Sequence, residues 1–101
     1  MKIQIKSRWT SKVIYEAESE SIKECVIKAV KEGAYLGGAY LRGADLGGAD
    51  LEGADLECAN LECVDLRNTR LKNARFEGAN LEGAKLQWTN YQDTNLKNAK
   101  F

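Results

Sequence analysis

Proline and histidine are both absent from this 101-residue sequence. Without proline, no backbone donor is lost to a closed ring, so the whole chain is free to enter hydrogen-bonded ladders. Without histidine there is no ordinary Ser-His-Asp triad and no imidazole to hold a metal. An excess of one charge is missing too. Fifteen Lys and Arg balance fifteen Asp and Glu, so no overall field draws the molecule to nucleic acid or an anionic membrane. No apolar run approaches the roughly 18 residues of a membrane span, and Met1-Lys2-Ile3-Gln4 opens nothing like a secretory signal. Cysteine is scarce and odd in number: Cys25, Cys58 and Cys63. The last two close consecutive five-residue blocks without zinc-site spacing, so all three read as reduced thiols of a cytoplasmic protein. No catalytic, metal or cofactor site is expected; Gly37-Gly38 and Gly47-Gly48 lie in a repeat, not a phosphate loop.

What the sequence does have is a period of five. From Ala34 the blocks read AYLGG, AYLRG, ADLGG, ADLEG, ADLEC, ANLEC, VDLRN, TRLKN, ARFEG, ANLEG, AKLQW, TNYQD, TNLKN and AKF. Each has a small residue first, a large apolar residue third and a turn-prone residue last. The third positions are Leu36, Leu41, Leu46, Leu51, Leu56, Leu61, Leu66, Leu71, Phe76, Leu81, Leu86, Tyr91, Leu96 and Phe101. On a helix, five residues rotate a side chain by roughly 140° net, which scatters these centres around the cylinder. On a straight strand, alternate centres face water. Only a chain that turns a corner once per block keeps them all inside. Gly, Asn or Asp at most fifth positions suits those corners. The sequence therefore predicts an all-β solenoid with this column of apolar centres as its structural core.

The A-[DN]-L-x-x pattern, met in ADLGG, ADLEG, ADLEC, ANLEC and ANLEG within a run of thirteen consecutive full blocks, resembles the pentapeptide repeat family. The resemblance covers residues 34–101 and implies a right-handed quadrilateral β-helix with four blocks, about twenty residues, per coil. On such a coil the carboxylates stand on convex outer faces with no pocket to raise their pKa, and the leucine core leaves no lumen, so a non-enzymatic protein is expected. The best-known members of that family imitate duplex DNA and bind DNA gyrase or topoisomerase IV.

Residues 1–33 form a different module. Lys2–Lys6 and Val13–Glu18 alternate as strands around a loop at 7–12, predicting a β-hairpin. Ser21 and Glu24 stand at capping-box spacing. Ile22, Cys25, Val26, Ala29 and Val30 follow at helical spacing and Gly33 ends the run, predicting a helix over about 21–32. Hairpin and helix are placed to cap the first coil, the helix lying over Leu36, Leu41, Leu46 and Leu51. Tyr35 and Tyr40 then pack against the hairpin or Trp9, or form a ligand-stacking patch.

The other end carries the candidate interface: Trp88, Tyr91, Leu96 and Phe101. An apolar end coil predicts an end-to-end homodimer. The alternatives are an end guarded by Lys97 and Lys100, or a shortened chain. Trp88 either packs sideways near Asn68 or anchors a protein partner. A candidate acidic patch comprises Asp45, Asp50, Glu52, Asp55, Glu57, Glu62 and Glu82. Twenty-residue stacking sets five opposite charges above one another: Asp50–Arg70, Glu52–Lys72, Asp55–Arg75, Asp65–Lys85 and Glu77–Lys97. Such pairing favours a scaffold for protein–protein interaction over DNA mimicry. The partner expected is thus a protein, with no membrane and no direct nucleic-acid binding.

Overall fold

A computed structural model describes residues 1–101. Parallel backbone bridges join Tyr35 to Asp55, Asp50 to Arg70, Asp65 to Lys85 and Asn80 to Lys100, each twenty residues apart. One coil of the solenoid therefore consumes four blocks. The Leu36 N–H donates to the Asp55 carbonyl at 3.1 Å, Gly38 N–H to Glu57 at 2.7 Å, and Asn60 N–H back to Ala39 at 2.8 Å. The same three bonds recur up the stack, so the second, third and fifth positions of each block all engage a neighbouring coil. Blocks starting at 34, 54, 74 and 94 form one column; those at 39, 59, 79 and 99 form the next. Two further columns begin at Ala44 and Ala49.

Each corner is closed locally. The Leu36 carbonyl accepts the Ala39 N–H at 3.1 Å, and the equivalent bond recurs at nearly every block. The fifth position has positive φ throughout, from Gly38 (71°) to Asn98 (61°), as the third residue of a type II turn requires. Glycine adopts this backbone freely, whereas Cys58, Cys63 and Trp88 are held in it with a side chain (φ 58°, 58° and 60°). The centres from Leu36 to Leu81 are buried, and the first-position residues Ala39 to Ala79 are buried beside them. Each fully buried leucine contributes about 1.5–3 kcal/mol.

The N-terminal module pairs with the second column and contributes residues to the core cluster. Strand β1 (Lys2–Ser7) pairs antiparallel with β2 (Val13–Glu18), with a register shift between Ile5 and Lys6. Its other edge pairs with β3 (Ala39–Tyr40), Lys6 opposite Tyr40, giving the sheet order β2-β1-β3. Helix α1 (Ile22–Lys31) is one residue shorter at each end than the sequence predicts. Ser21 Oγ accepts the Glu24 N–H at 3.1 Å, but the Glu24 carboxylate accepts from Glu20 rather than from Ser21, so the box closes one residue early. Cys25, Val26 and Ala29 are fully buried in the same core cluster as the coil leucines, and Lys23 Nζ donates to the Gly47 carbonyl at 2.7 Å. No helix is long and apolar enough to cross a membrane.

Candidate interaction surface

The outward side chains belong to the second and fourth positions, and many second positions have a local task that the sequence reading missed. Asp45 Oδ1 accepts the Gly47 N–H at 3.1 Å. Asp50, Asp55, Asn60, Asp65, Asn80, Asn90 and Asn95 each accept from the residue two further on. This Asx bond braces the entry to each corner. The recurrent A-[DN]-L spacing was the available signal, since Asp and Asn combine a short reach with a strong acceptor. Three of the carboxylates assigned to an acidic patch are thereby partly engaged in holding the backbone.

The patch also does not share one side. Asp45 lies in the third column, Asp50 and Glu52 in the fourth, Asp55 and Glu57 in the first, and Glu62 and Glu82 in the second. They wind around the coil because consecutive blocks occupy consecutive columns. Of the five vertical charge pairs, two form: Asp50–Arg70 at 3.5 Å and Asp55–Arg75 at 3.4 Å. Glu52–Lys72, Asp65–Lys85 and Glu77–Lys97 do not. Each arginine fork gathers several carboxylates instead: Arg70 also bonds Glu52, and Arg75 also bonds Glu57 at 3.0 Å and Glu77 at 3.5 Å. A lysine, a single flexible point charge, has no such geometric advantage. Arg67 turns back onto Asp65 within its own block at 2.7 Å. That side-chain bond, with the Arg67 backbone N–H, holds the Asp65 carboxyl well below the usual carboxylate range. Glu57 moves the other way: partial loss of water and then Asp55 beside it raise its pKa, against the pull of Arg75.

The last coil differs from those beneath it. Leu86 and Leu96 are only half-buried, while Tyr91 and Phe101 are exposed, Phe101 at 65%. The N–H groups of Gly83, Leu86, Trp88, Tyr91, Asp93, Leu96, Asn98 and Phe101 donate to no backbone carbonyl, and the carbonyls of Ala84, Thr89, Thr94 and Ala99 accept nothing. In lower coils the equivalent groups are bonded. Lys100 reaches Glu82 at 3.7 Å. Trp88 is 78% exposed, so packing near Asn68 does not bury it.

At the opposite end, Tyr35 (63% exposed) and Tyr40 (50%) are not packed away by the hairpin. The hairpin approaches through backbone pairing with β3, which leaves both rings outside. Trp9 rests on Gly38 and Tyr35 folds over Gly37. Cys58 and Cys63 are free and exposed, and Cys25 is free and buried. Burial pushes the Cys25 thiol up.

Comparison with known proteins gives a consistent answer. The pentapeptide repeats family matches in eight copies, over residues 34–73 and 59–98. None of the curated proteins matches the chain. Among solved structures, a pentapeptide repeat protein of the cyanobacterium Cyanothece 51142 is 39% identical (TM-score 0.43), over 60% of this chain and 38% of that one. A pentapeptide repeat protein of Nostoc PCC 7120 is 34% identical (TM-score 0.46), over 73% of this chain and 70% of that one. This chain thus spans well under half the length of the first. With coils of four blocks, a corner at every fifth residue and a family match across most of its length, this chain belongs to the pentapeptide repeat family.

Proposed function

We propose that this protein is a non-enzymatic scaffold: a right-handed, four-sided β-helix, capped at its first coil by the hairpin and helix, that presents a rigid surface to protein partners. The first partner we assign is a second copy, met two-fold through the last coil. The observation that carries this is the open upper edge, where unpaired backbone donors and acceptors surround Leu86, Tyr91, Leu96 and Phe101. Exposed strand edges with an apolar centre are templates for pairing. Trp88 stands beside that edge with its ring free, the type of residue that dominates interface energetics. Three free thiols suit a reducing compartment such as the cytoplasm.

The rival reading, binding of DNA gyrase or topoisomerase IV by DNA mimicry, has less support. It needs long unpaired carboxylate stretches, whereas Arg67, Arg70 and Arg75 draw most of the acidic side chains into pairs. Light scattering of the 101-residue chain across a concentration series tests the first reading. The mass should approach twice 11.2 kDa, and Phe101→Lys should return it to the single-chain value. A mass that Phe101→Lys leaves at twice the chain removes this interface. Inhibition of gyrase supercoiling at micromolar protein would favour mimicry instead.

A further inference from the structure

Aromatic rings and unpaired cations meet at the first coil, far from the last one. A Cβ at Gly38 would come within 2.3 Å of the Trp9 ring, and one at Gly37 within 2.1 Å of the Tyr35 ring. Both rings therefore lie against bare backbone on their inner side and face solvent on the other. Tyr40 is half exposed and sits opposite Lys6 across the β1–β3 register, so the two side chains share the outer face. Arg8 is fixed beside the indole. Its N–H donates to the Gly38 carbonyl at 2.7 Å, its guanidinium to the Cys58 carbonyl at 3.0 Å, and it lies 5.9 Å from the Trp9 ring centre. Arg42 follows Tyr40 by two residues. Every other arginine is bonded to carboxylates, but Arg8, Arg42 and Lys6 have no acidic partner. The nearby Asp55 and Glu57 are occupied by Arg75, at 3.4 and 3.0 Å.

We propose that this corner binds single-stranded nucleic acid, with bases stacked on Trp9 and Tyr35 and phosphates held by Lys6, Arg8 and Arg42. Every base offers a flat π face, and a ring already pinned against glycine loses little freedom when a base stacks on it. The three free cations supply the backbone contacts that such binding requires. A zero net charge argues against a field over the whole molecule, not against a local cluster. A peptide partner is the weaker fit. Every nucleotide pairs a phosphate with a flat π face, whereas an acidic peptide supplies its charges and its aromatic rings at separate residues.

The test uses the 101-residue chain and a fluorescein-labelled oligothymidylate of about twenty nucleotides, a length that spans the site sizes of common single-strand binders. Anisotropy should rise with protein at low salt, and log K should fall against log salt with a slope near −2, for about three phosphates. Trp9→Ala should weaken binding about tenfold or more, the range of one lost base stack. In a Trp88→Phe background Trp9 is the sole tryptophan, and its emission should be quenched by the oligonucleotide. This readout needs no change at the site itself. Flat anisotropy at about 100 µM protein, a concentration at the weak end of ordinary non-specific dissociation constants, would overturn the proposal. So would binding that leaves Trp9 emission unchanged, or an acidic, aromatic peptide that binds more tightly than the oligonucleotide. The site stands apart from the last coil, so Phe101→Lys should leave it intact.

Discussion

Trp88 is held at φ 60° with its ring 78% exposed, so the fold strains its backbone with little packing in return. For an L-residue the left-handed region costs about 1–2 kcal/mol. Glycine escapes that strain, but its freer unfolded chain takes back about 0.5–1 kcal/mol. Trp88→Gly should therefore stabilise the monomer by about 0.5–1 kcal/mol. For a domain of this size that raises Tm by about 3–6 °C. The control lies in the same column, where Gly48 has φ 77° and meets nothing nearer than Lys23 Nζ at 4.0 Å. Gly48→Ala adds a Cβ without a clash, so it isolates the backbone effect and should destabilise by about 1 kcal/mol. Thermal unfolding by circular dichroism, at dilutions where the chain is monomeric, keeps any role of Trp88 in self-association out of the comparison. A Trp88→Gly melting point equal to or below the parent, together with a neutral Gly48→Ala, would refute the strain argument.

Three other outcomes follow from the same geometry. Leu56→Ala removes a fully buried centre and should cost about 2–5 kcal/mol in urea unfolding, while Leu96→Ala, half-buried in the last coil, should cost clearly less. Gly78→Ala places a Cβ 3.2 Å from Cys58 Sγ at φ 68° and should destabilise; Cys58→Gly should relieve the contact, so the double variant recovers more stability than the single effects add up to. Asp65 has a depressed folded pKa, so its stabilisation is present above the ordinary carboxylate pKa and is lost as pH falls below it. The Tm of Asp65→Asn should accordingly be lower than the parent's at pH 7, with the difference closing toward strongly acidic pH.

The coil itself was legible because a strict period of five has few physical solutions, and the apolar centres from Leu36 to Leu81 reveal the inside directly. The extended edges and positive-φ corners follow from Gly38, Asn68 and their equivalents. The surface was harder to read. Vertical register predicts which charges lie one above another, but not that Arg75 would reach three carboxylates while Lys72, Lys85 and Lys97 reach none. Side-chain shape and flexibility, not spacing, decide that. The second-position Asp and Asn residues read as charge or polarity in sequence because their Asx bonds depend on the turn already being formed. Trp9 and Tyr35 were separated by 26 positions, and only the pairing of β1 with β3 brings their rings to adjacent glycines.

All of this rests on one register, in which each outward residue sits directly beneath the residue twenty positions later. Arg70 and Asn90 are such a pair, both exposed and joined by a backbone bridge. Their Cα atoms should be about 4.8 Å apart, within disulfide range. With Cys25→Ala, Cys58→Gly and Cys63→Gly removing the native thiols, Arg70→Cys/Asn90→Cys should close an intramolecular disulfide on mild oxidation, read by mass spectrometry under native conditions. Arg70→Cys/Asn95→Cys, displaced by one block into the next column, should stay reduced. Closure of the displaced pair in preference to the stacked one would contradict the twenty-residue coil and the surface built on it.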